Sequence, residues 1–331
     1  MPKPSSKATK IKKPVKNKKI KKSSKLKWIF TIILLIILSF AAYLLTPITS
    51  PKIVYIPQGS VFKSIAHLQD DGVNLNTIDA VILRLIGNPQ QGWIDLKKEN
   101  LTRIEYLYNL TKAKAATHTI TLIPGETTVV FLEQIAQQLT LDSTKLKEAY
   151  TNAADSREGL LVPDTYSVPK SIKEEKLIKF LLKESLYKQK KISKKLLGYY
   201  DESKWLQLVT LASVIQKEAA SVEDMPMVSS VIHNRLKKNM RLQMDGTLNY
   251  GKYSHQKVTA ARIRSDKTSF NTYKHGGLPD VAVCNVSYEA LEAALHPKPT
   301  DYLYFVRGKD GKHIYTSYFS THHKNILNAT K

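Results

Sequence analysis

Residues 28–45 read WIFTIILLIILSFAAYLL, eighteen positions without a charged side chain, Thr31 and Ser39 being the notably polar members. As a helix rising 1.5 Å per residue, the run is roughly 27 Å long, close to the hydrocarbon thickness of a bilayer. Before it stand Lys3, Lys7, Lys10, Lys12, Lys13, Lys16, Lys18, Lys19, Lys21, Lys22, Lys25 and Lys27, twelve lysines with no acid among them. Basic flanks stay on the cytoplasmic side, and Trp28 and Tyr43 suit the two membrane interfaces. The expectation is a basic cytoplasmic tail over 1–27, a single-pass transmembrane helix over 28–46, and everything later on the opposite side. A cleaved signal peptide with Ser39-Phe40-Ala41 as its small-x-small site is the competing reading. The length of the tail and of the apolar run favours the anchor.

The tail also decides what the charge means. Subtracting its twelve lysines from the formal net charge of +23 leaves +11 for the remainder. Nucleic acid is therefore not expected as a partner, because the densest basic block flanks a membrane. At 331 residues and 42% hydrophobic side chains, the chain has material for one or two packed cores, which excludes a disordered or fibrous protein. Its one cysteine, Cys284 in VAVCNV, rules out an intrachain disulfide framework. That setting reads as a buried thiol rather than a nucleophile.

Beyond the anchor, periodicity separates strands from helices. Lys52 to Ile56 alternates like a strand, and Pro57-Gln58-Gly59-Ser60 supplies a turn and a cap for a helix over 61–69. The phrase returns at Ile120 to Ile123, Pro124-Gly125 and a helix carrying Phe131, Ile135, Ala136 and Leu139. This echo reads as two strand-turn-helix units of one small α+β region, with helices near 77–86 and 101–113 between them. Lys-rich amphipathic segments from Ser143 to Gly198 are interrupted by EGLLVPDTYSVPK and read as solvated faces. From Asp201 the pattern turns to apolar helices, a polar loop region over 239–285, and a helix from Ser287 to Leu295. A β-hairpin is expected from Tyr302 to Val306 and His313 to Thr316.

One helix carries the most informative acid. In WLQLVTLASVIQKEAA, residues 205–220, Leu208, Leu211, Val214 and Ile215 form an apolar face, and Glu218 lies at its edge. A carboxyl partly withdrawn from water favours its neutral form, and a protonated acid near neutral pH can donate to a leaving oxygen, as glycosidic cleavage requires. A glutamate near a helix end is also an ordinary surface residue, and composition does not decide between the two. Asp224 and Pro226 read as cap and first turn of the next helix, where Asn234 and Arg235 follow the stripe Val228, Val231, Ile232. The loop RLQMDGTLNYG presents Gln243, Asp245, Thr247, Asn249 and Tyr250. SFNTYKHGGLP presents Asn271, Thr272 and Tyr273. Amides, hydroxyls and aromatic rings suit a sugar, and the same residues also make turns.

The phrases EGLLVPDTY, LASVIQKEAA, HNRLKKNMRLQMDGTLNYG, SFNTYKHGGLP, HPKPTDYLYFVRG and GKHIYTSYFSTHHKNI occur in one order over about residues 158 to 326. In that order they resemble the endolytic murein transglycosylases, also called YceG-like or MltG. The resemblance implies an α+β fold: a transmembrane helix, a small LysM-like region (47–117) and a mixed YceG-like catalytic domain (118–331). It places the family's essential glutamate at Glu218, the second acid of a signature whose first acid is here Gln216. Asp245-Gly246-Thr247 stands where the family usually has Asp-Pro-Thr, Asp280 replaces a usual second proline, and His323 replaces an asparagine.

The implied activity is a lyase scission of peptidoglycan glycan strands between N-acetylmuramic acid and N-acetylglucosamine, leaving 1,6-anhydro ends, as a terminase on nascent strands. Glu218 would be catalytic. Asn234, Arg235, Gln243, Asp245, Thr247, Asn271 and Tyr273 would bind substrate, and Glu158, Asp164, Tyr166 and His322 would support the site. The implied location is a bacterial inner membrane with the catalytic domain periplasmic or extracytoplasmic, and peptidoglycan synthases are implied partners. No cofactor or metal is expected, since His313, His322 and His323 lack an HExxH or CxxC companion. Two other readings stay open: a muramidase using water, for which Glu158, Asp164 or Asp245 would be the second carboxylate, and a non-catalytic scaffold binding glycan through residues 50–140.

Overall fold

The structure, a computed structural model, describes the backbone of residues 20–330 and the side chains of residues 25–329. The lysines of the expected cytoplasmic tail up to Lys19 lie outside the described residues. The fold is mixed α+β, with four two-stranded antiparallel sheets among the described residues. The described residues divide into two compact units, one ending at Ala115 and the other beginning at Ala116.

The first unit opens with α1 (Ile20–Leu44), in which Lys25–Leu44 is apolar and long enough to cross a membrane; it is exposed as far as Ala42, and Tyr43 and Leu44 pack against the core of the unit. It is a candidate membrane anchor. Behind it, β1 (Pro47–Thr49), β2 (Ile53–Ile56), α2 (Val61–Asp70), α3 (Thr77–Ile86), β3 (Gly92–Asp95), β4 (Asn100–Thr102) and α4 (Arg103–Lys112) enclose a small core around Leu68, Leu83, Ile94, Tyr106 and Leu107. Local chemistry sets the helix starts. Ser60 accepts from Lys63 N at 3.3 Å, and Asn76 with Asp79 and Thr102 with Glu105 form reciprocal capping boxes. Strand β2 pairs with β3 and β1 with β4, which closes the unit on itself.

Asp79 is fully buried and meets Arg103 Nη1 at 2.5 Å; Tyr43, near the end of α1, donates to its other oxygen at 2.9 Å. The Arg103 guanidinium lies 4.6 Å from the Tyr43 ring centroid. The apolar helix is thus tied to its unit through one buried charge pair.

In the second unit β5 (Thr117–Leu122) leads to α5 (Thr128–Leu139) and α6 (Ser143–Ala154); β6 (Asp164–Pro169) then pairs back onto β5, with Ile120 opposite Tyr166. The two echoed strand-turn-helix phrases therefore fall in different units and do not build one region, because β2 finds its partner in β3 and β5 finds its own in β6. Strand β6 sits inside the segment read as an interruption. Next come α7 (Glu174–Leu197), α8 (Glu202–Glu218) and α9 (Met225–Lys237). The polar loop region contains two 3₁₀ turns, Asp245–Leu248 and Gly251–Tyr253, and the short α10 (Ala260–Ser265) capped by Thr259. The chain closes with α11 (Tyr288–Leu295), the hairpin β7 (Tyr304–Arg307) and β8 (His313–Thr316), and α12 (Phe319–Thr330).

The core of this unit gathers around α8: Trp205, Val209, Ala212, Val214 and Ile215 meet Val228, Val231 and Ile232 of α9 and Ala290, Leu291 and Ala294 of α11. Cys284 is buried and donates to Ser213 O, and burial pushes its thiol up. Asn285 stitches distant segments. Its backbone exchanges bonds with Gly125 and Glu126, while its side chain donates to Thr128 and Glu158 and accepts from Leu161 N.

Replacing Arg103 with methionine leaves Asp79 buried without its cation, an arrangement that costs about 3–5 kcal/mol. Calorimetry of the full chain in detergent is expected to show a matching drop in the unfolding temperature of the first unit. An unchanged thermogram would mean that the pair contributes nothing.

Candidate active site

Helix α8 starts at Asp201, whose carboxylate accepts from Lys204 N at 2.9 Å, and it ends on Glu218, after which Ala219 turns extended. Glu218 thus occupies the last turn, where unpaired carbonyls present negative potential and disfavour a carboxylate. Across from it the Asp245–Leu248 turn brings Gly246 N–H to Glu218 Oε1 at 2.6 Å. A Cβ on Gly246 would lie 2.8 Å from Oε1 and 2.9 Å from the Lys217 carbonyl oxygen. Glycine is therefore what the close approach requires.

Protein atoms surround the carboxyl of Glu218 while one side stays open to solvent. Desolvation pushes its pKa up to about 7, against the Gly246 hydrogen bond; Asp245 adds to the rise, and His313 and Arg235 oppose it. A neutral carboxylic acid near neutral pH is what this position produces.

The open side is a groove of about 410 Å³. Arg235 forms part of its wall, fixed by donating to Leu303 O and Leu242 O at 2.6 Å each, with Tyr304 stacked over its guanidinium. Tyr273 donates to Asp245 Oδ1 at 2.7 Å, and Gln243 reaches the groove from a left-handed backbone (φ 48°). His322 stacks on Tyr304 with centroids 5.2 Å apart, and its Nδ1 is buried without a hydrogen-bond partner. Burial, then Arg235 and His323, hold His322 below the usual imidazole range.

The structure thus brings Glu218, Arg235, Gln243, Asp245, Tyr273 and His322 to one groove. The other sequence candidates do not line it: Thr247, Asn271 and Asn234 brace neighbouring backbone, and Tyr166, Asp164 and Glu158 lie elsewhere in the unit. Thr247 is buried and donates to Met244 O. Asn271, also buried, donates to Ile263 O and Asp266 O. Asn234 donates to Thr300 O and Tyr302 O. Tyr166 donates to Val162 O, and Asp164 pairs with Lys188 at 2.5 Å on β6. Glu158 is pushed up to about 7 by desolvation, against bonds from Thr128 and Gly159, and it lines a different recess of about 310 Å³. Gln216 turns away and accepts from Ser287 N at 3.1 Å, serving the start of α11.

Asp224 is a correction. Its side chain makes no cap for α9; it is held by His313 Nδ1 at 2.7 Å, Tyr315 OH at 2.6 Å and Ala220 N at 3.0 Å. Pro226 does stand in the first turn. His313 lines the groove, and so does Arg307 from the same hairpin. Sequence reading weighed His313 only as a metal ligand. The usable signal was the alternation in His313-Ile314-Tyr315, which puts residues 313 and 315 on one face of a strand. Larger recesses exist, one of about 770 Å³ along α7 and α11, yet size alone points away from the convergent acid, base and cation that chemistry needs.

The profile of the YceG-like family matches residues 54–328. A Bacillus subtilis protein named endolytic murein transglycosylase is 38% identical over 118 residues, 36% of this chain and 33% of its own length. A Streptococcus pneumoniae protein of the same name is 32% identical over 197 residues, 56% of this chain and 34% of its own. The matched stretches span about one third of these curated relatives. The crystal structure of a yceG-like protein from Listeria monocytogenes superposes with a TM-score of 0.53 at 25% identity, covering 83% of this chain and 99% of that one.

Because the folded-state pKa of Glu218 is raised, its stabilising contribution is complete below the unfolded value of 4.5 and is lost as pH rises through about 7. Glu218→Gln removes that loss and keeps an oxygen for Gly246. The variant is expected to gain about 2 kcal/mol over wild type between pH 5 and pH 8, read from paired melts, after discounting for partial exposure. A constant difference across that range would contradict the raised pKa.

Proposed function

We propose, from the premise that this chain belongs to the YceG-like family, that it is an endolytic murein transglycosylase whose acid is Glu218. The observation that carries the reading is a carboxyl with pKa near 7 on the floor of a groove whose walls offer an arginine, a tyrosine and an amide. Such walls suit the hydroxyls and ring faces of a sugar. Protonated Glu218 donates to the oxygen between N-acetylmuramic acid and N-acetylglucosamine, and the C1–O bond breaks. The muramic 6-hydroxyl oxygen then bonds to C1 and gives up its proton, which leaves a 1,6-anhydro end. The carboxylate left by the first transfer is one acceptor for that proton.

Asp245 in the same groove supports a second reading, a muramidase in which a second carboxylate activates water. The products separate the two: anhydro ends for the transglycosylase, reducing ends for the hydrolase.

The anchor and its lysines support an N-terminus in the cytoplasm and a second unit on the outer side of a bacterial inner membrane. There it would meet nascent strands beside their synthases and act as a terminase, with the LysM-like first unit positioning or binding glycan. A protein that binds strands and never cuts them would be a scaffold instead.

Wild-type protein in detergent is expected to release anhydro-ended fragments from purified sacculi, detected by mass spectrometry. Glu218→Gln should lower the rate at least 100-fold, the scale of losing a general acid. The rate should also fall about tenfold per pH unit well above pH 7, as the acid loses its proton. Cleavage by Glu218→Gln at the wild-type rate would remove the assignment.

A further inference from the structure

The groove holds a second proton-handling group besides Glu218. His313 Nδ1 lies 2.7 Å from Asp224 Oδ2, and Asp224 Oδ1 accepts from Tyr315 at 2.6 Å. Burial raises the Asp224 carboxyl, but His313, Tyr315 and the Ala220 N–H outweigh it and hold the group below the usual carboxylate range. An ionised carboxylate only accepts, so Nδ1 carries the hydrogen and neutral His313 has its lone pair on Nε2. The ring is 7% exposed and packs 4.8 Å from Phe305 centroid to centroid, while His313 lines the groove that contains Glu218. Among the described residues, Nε2 has no protein hydrogen-bond partner. A fixed imidazole with one nitrogen anchored by a carboxylate and the other free is the arrangement of a general base.

We propose that His313 Nε2 accepts the proton that the sugar hydroxyl loses as its oxygen bonds to C1, with Asp224 and Tyr315 as positioning residues. The step rests on the transglycosylase reading. Its balance is closed: Glu218 gives a proton to the leaving oxygen, the C1–O bond breaks, and the new C1–O bond forms with the hydroxyl oxygen. The hydroxyl proton goes to His313, giving an imidazolium beside Asp224. After product leaves, that proton returns to Glu218 through solvent. Glu218 then acts as acid and His313 as base, and one carboxyl need not serve both ends of the reaction.

The test uses full-length protein in detergent with purified glycan strands, comparing wild type, His313→Gln, Asp224→Asn, Tyr315→Phe and Glu218→Gln. His313→Gln is expected to lower kcat 100-fold or more with KM within about threefold, the split of a group that acts in the chemical step. Asp224→Asn, which frees the tautomer, should lower kcat at least tenfold, and Tyr315→Phe less. A folded His313→Gln with kcat within threefold of wild type overturns the inference, as does a rise in KM alone. Should His313→Gln not fold, unchanged kcat in both Asp224→Asn and Tyr315→Phe overturns it. Failure of the underlying reading looks different: Glu218→Gln then remains active, whatever His313→Gln does.

Discussion

The Glu218 carboxyl is held in place because the last turn of α8 and the Asp245–Leu248 turn approach to hydrogen-bonding distance with no side chain between them. That constraint orders much of the second unit. The apolar face of α8 must be buried on one side so that its end reaches the groove, and α9 and α11 supply that cover. The turn bearing Gly246 must be rigid, and Thr247, Thr272 and Asn271 hold it from behind with bonds that never reach the groove. The same bond that positions the carboxyl also opposes its rise in pKa, so position and protonation are set by competing effects. Desolvation wins because burying the charged form costs more than the one Gly246 N–H returns, and the nearby Asp245 adds to the rise.

A comparable economy governs the first unit. Asp79 and Arg103 are buried together, and Tyr43 and Thr46 use the remaining capacity of the pair, so the exit of the apolar helix is fixed by side chains at its end. A buried ion pair is a costly way to gain stability, but it specifies geometry where apolar contacts would permit sliding.

Elements whose partners are close in sequence were legible beforehand. The uncharged run gave α1, a capping residue gave the start of α2, and the Gly308 to Lys312 turn gave the hairpin. Strand β6 was hidden, since it begins after Pro163 and ends on Pro169 in a segment that reads as loop, and its partner β5 lies far upstream. The apolar helical stripe made Glu218 a candidate, and only the resemblance of its surrounding phrase singled it out. The surroundings were less legible: Thr247 and Asn271 have the composition of a sugar site and the burial of structural residues. Asp224 looked like a helix cap because its neighbourhood in sequence is a helix start, and its partner His313 comes from a hairpin that sequence order does not place beside it.

The wall opposite Glu218 is built by β7, β8 and α12, all of which follow the acid in the order of synthesis. Chains fold as they emerge from the ribosome, earlier segments first. A growing polypeptide therefore carries the carboxyl before the recess around it is complete. The recess around the carboxyl is complete only once the segment from β7 to α12 has docked against the helices that precede it.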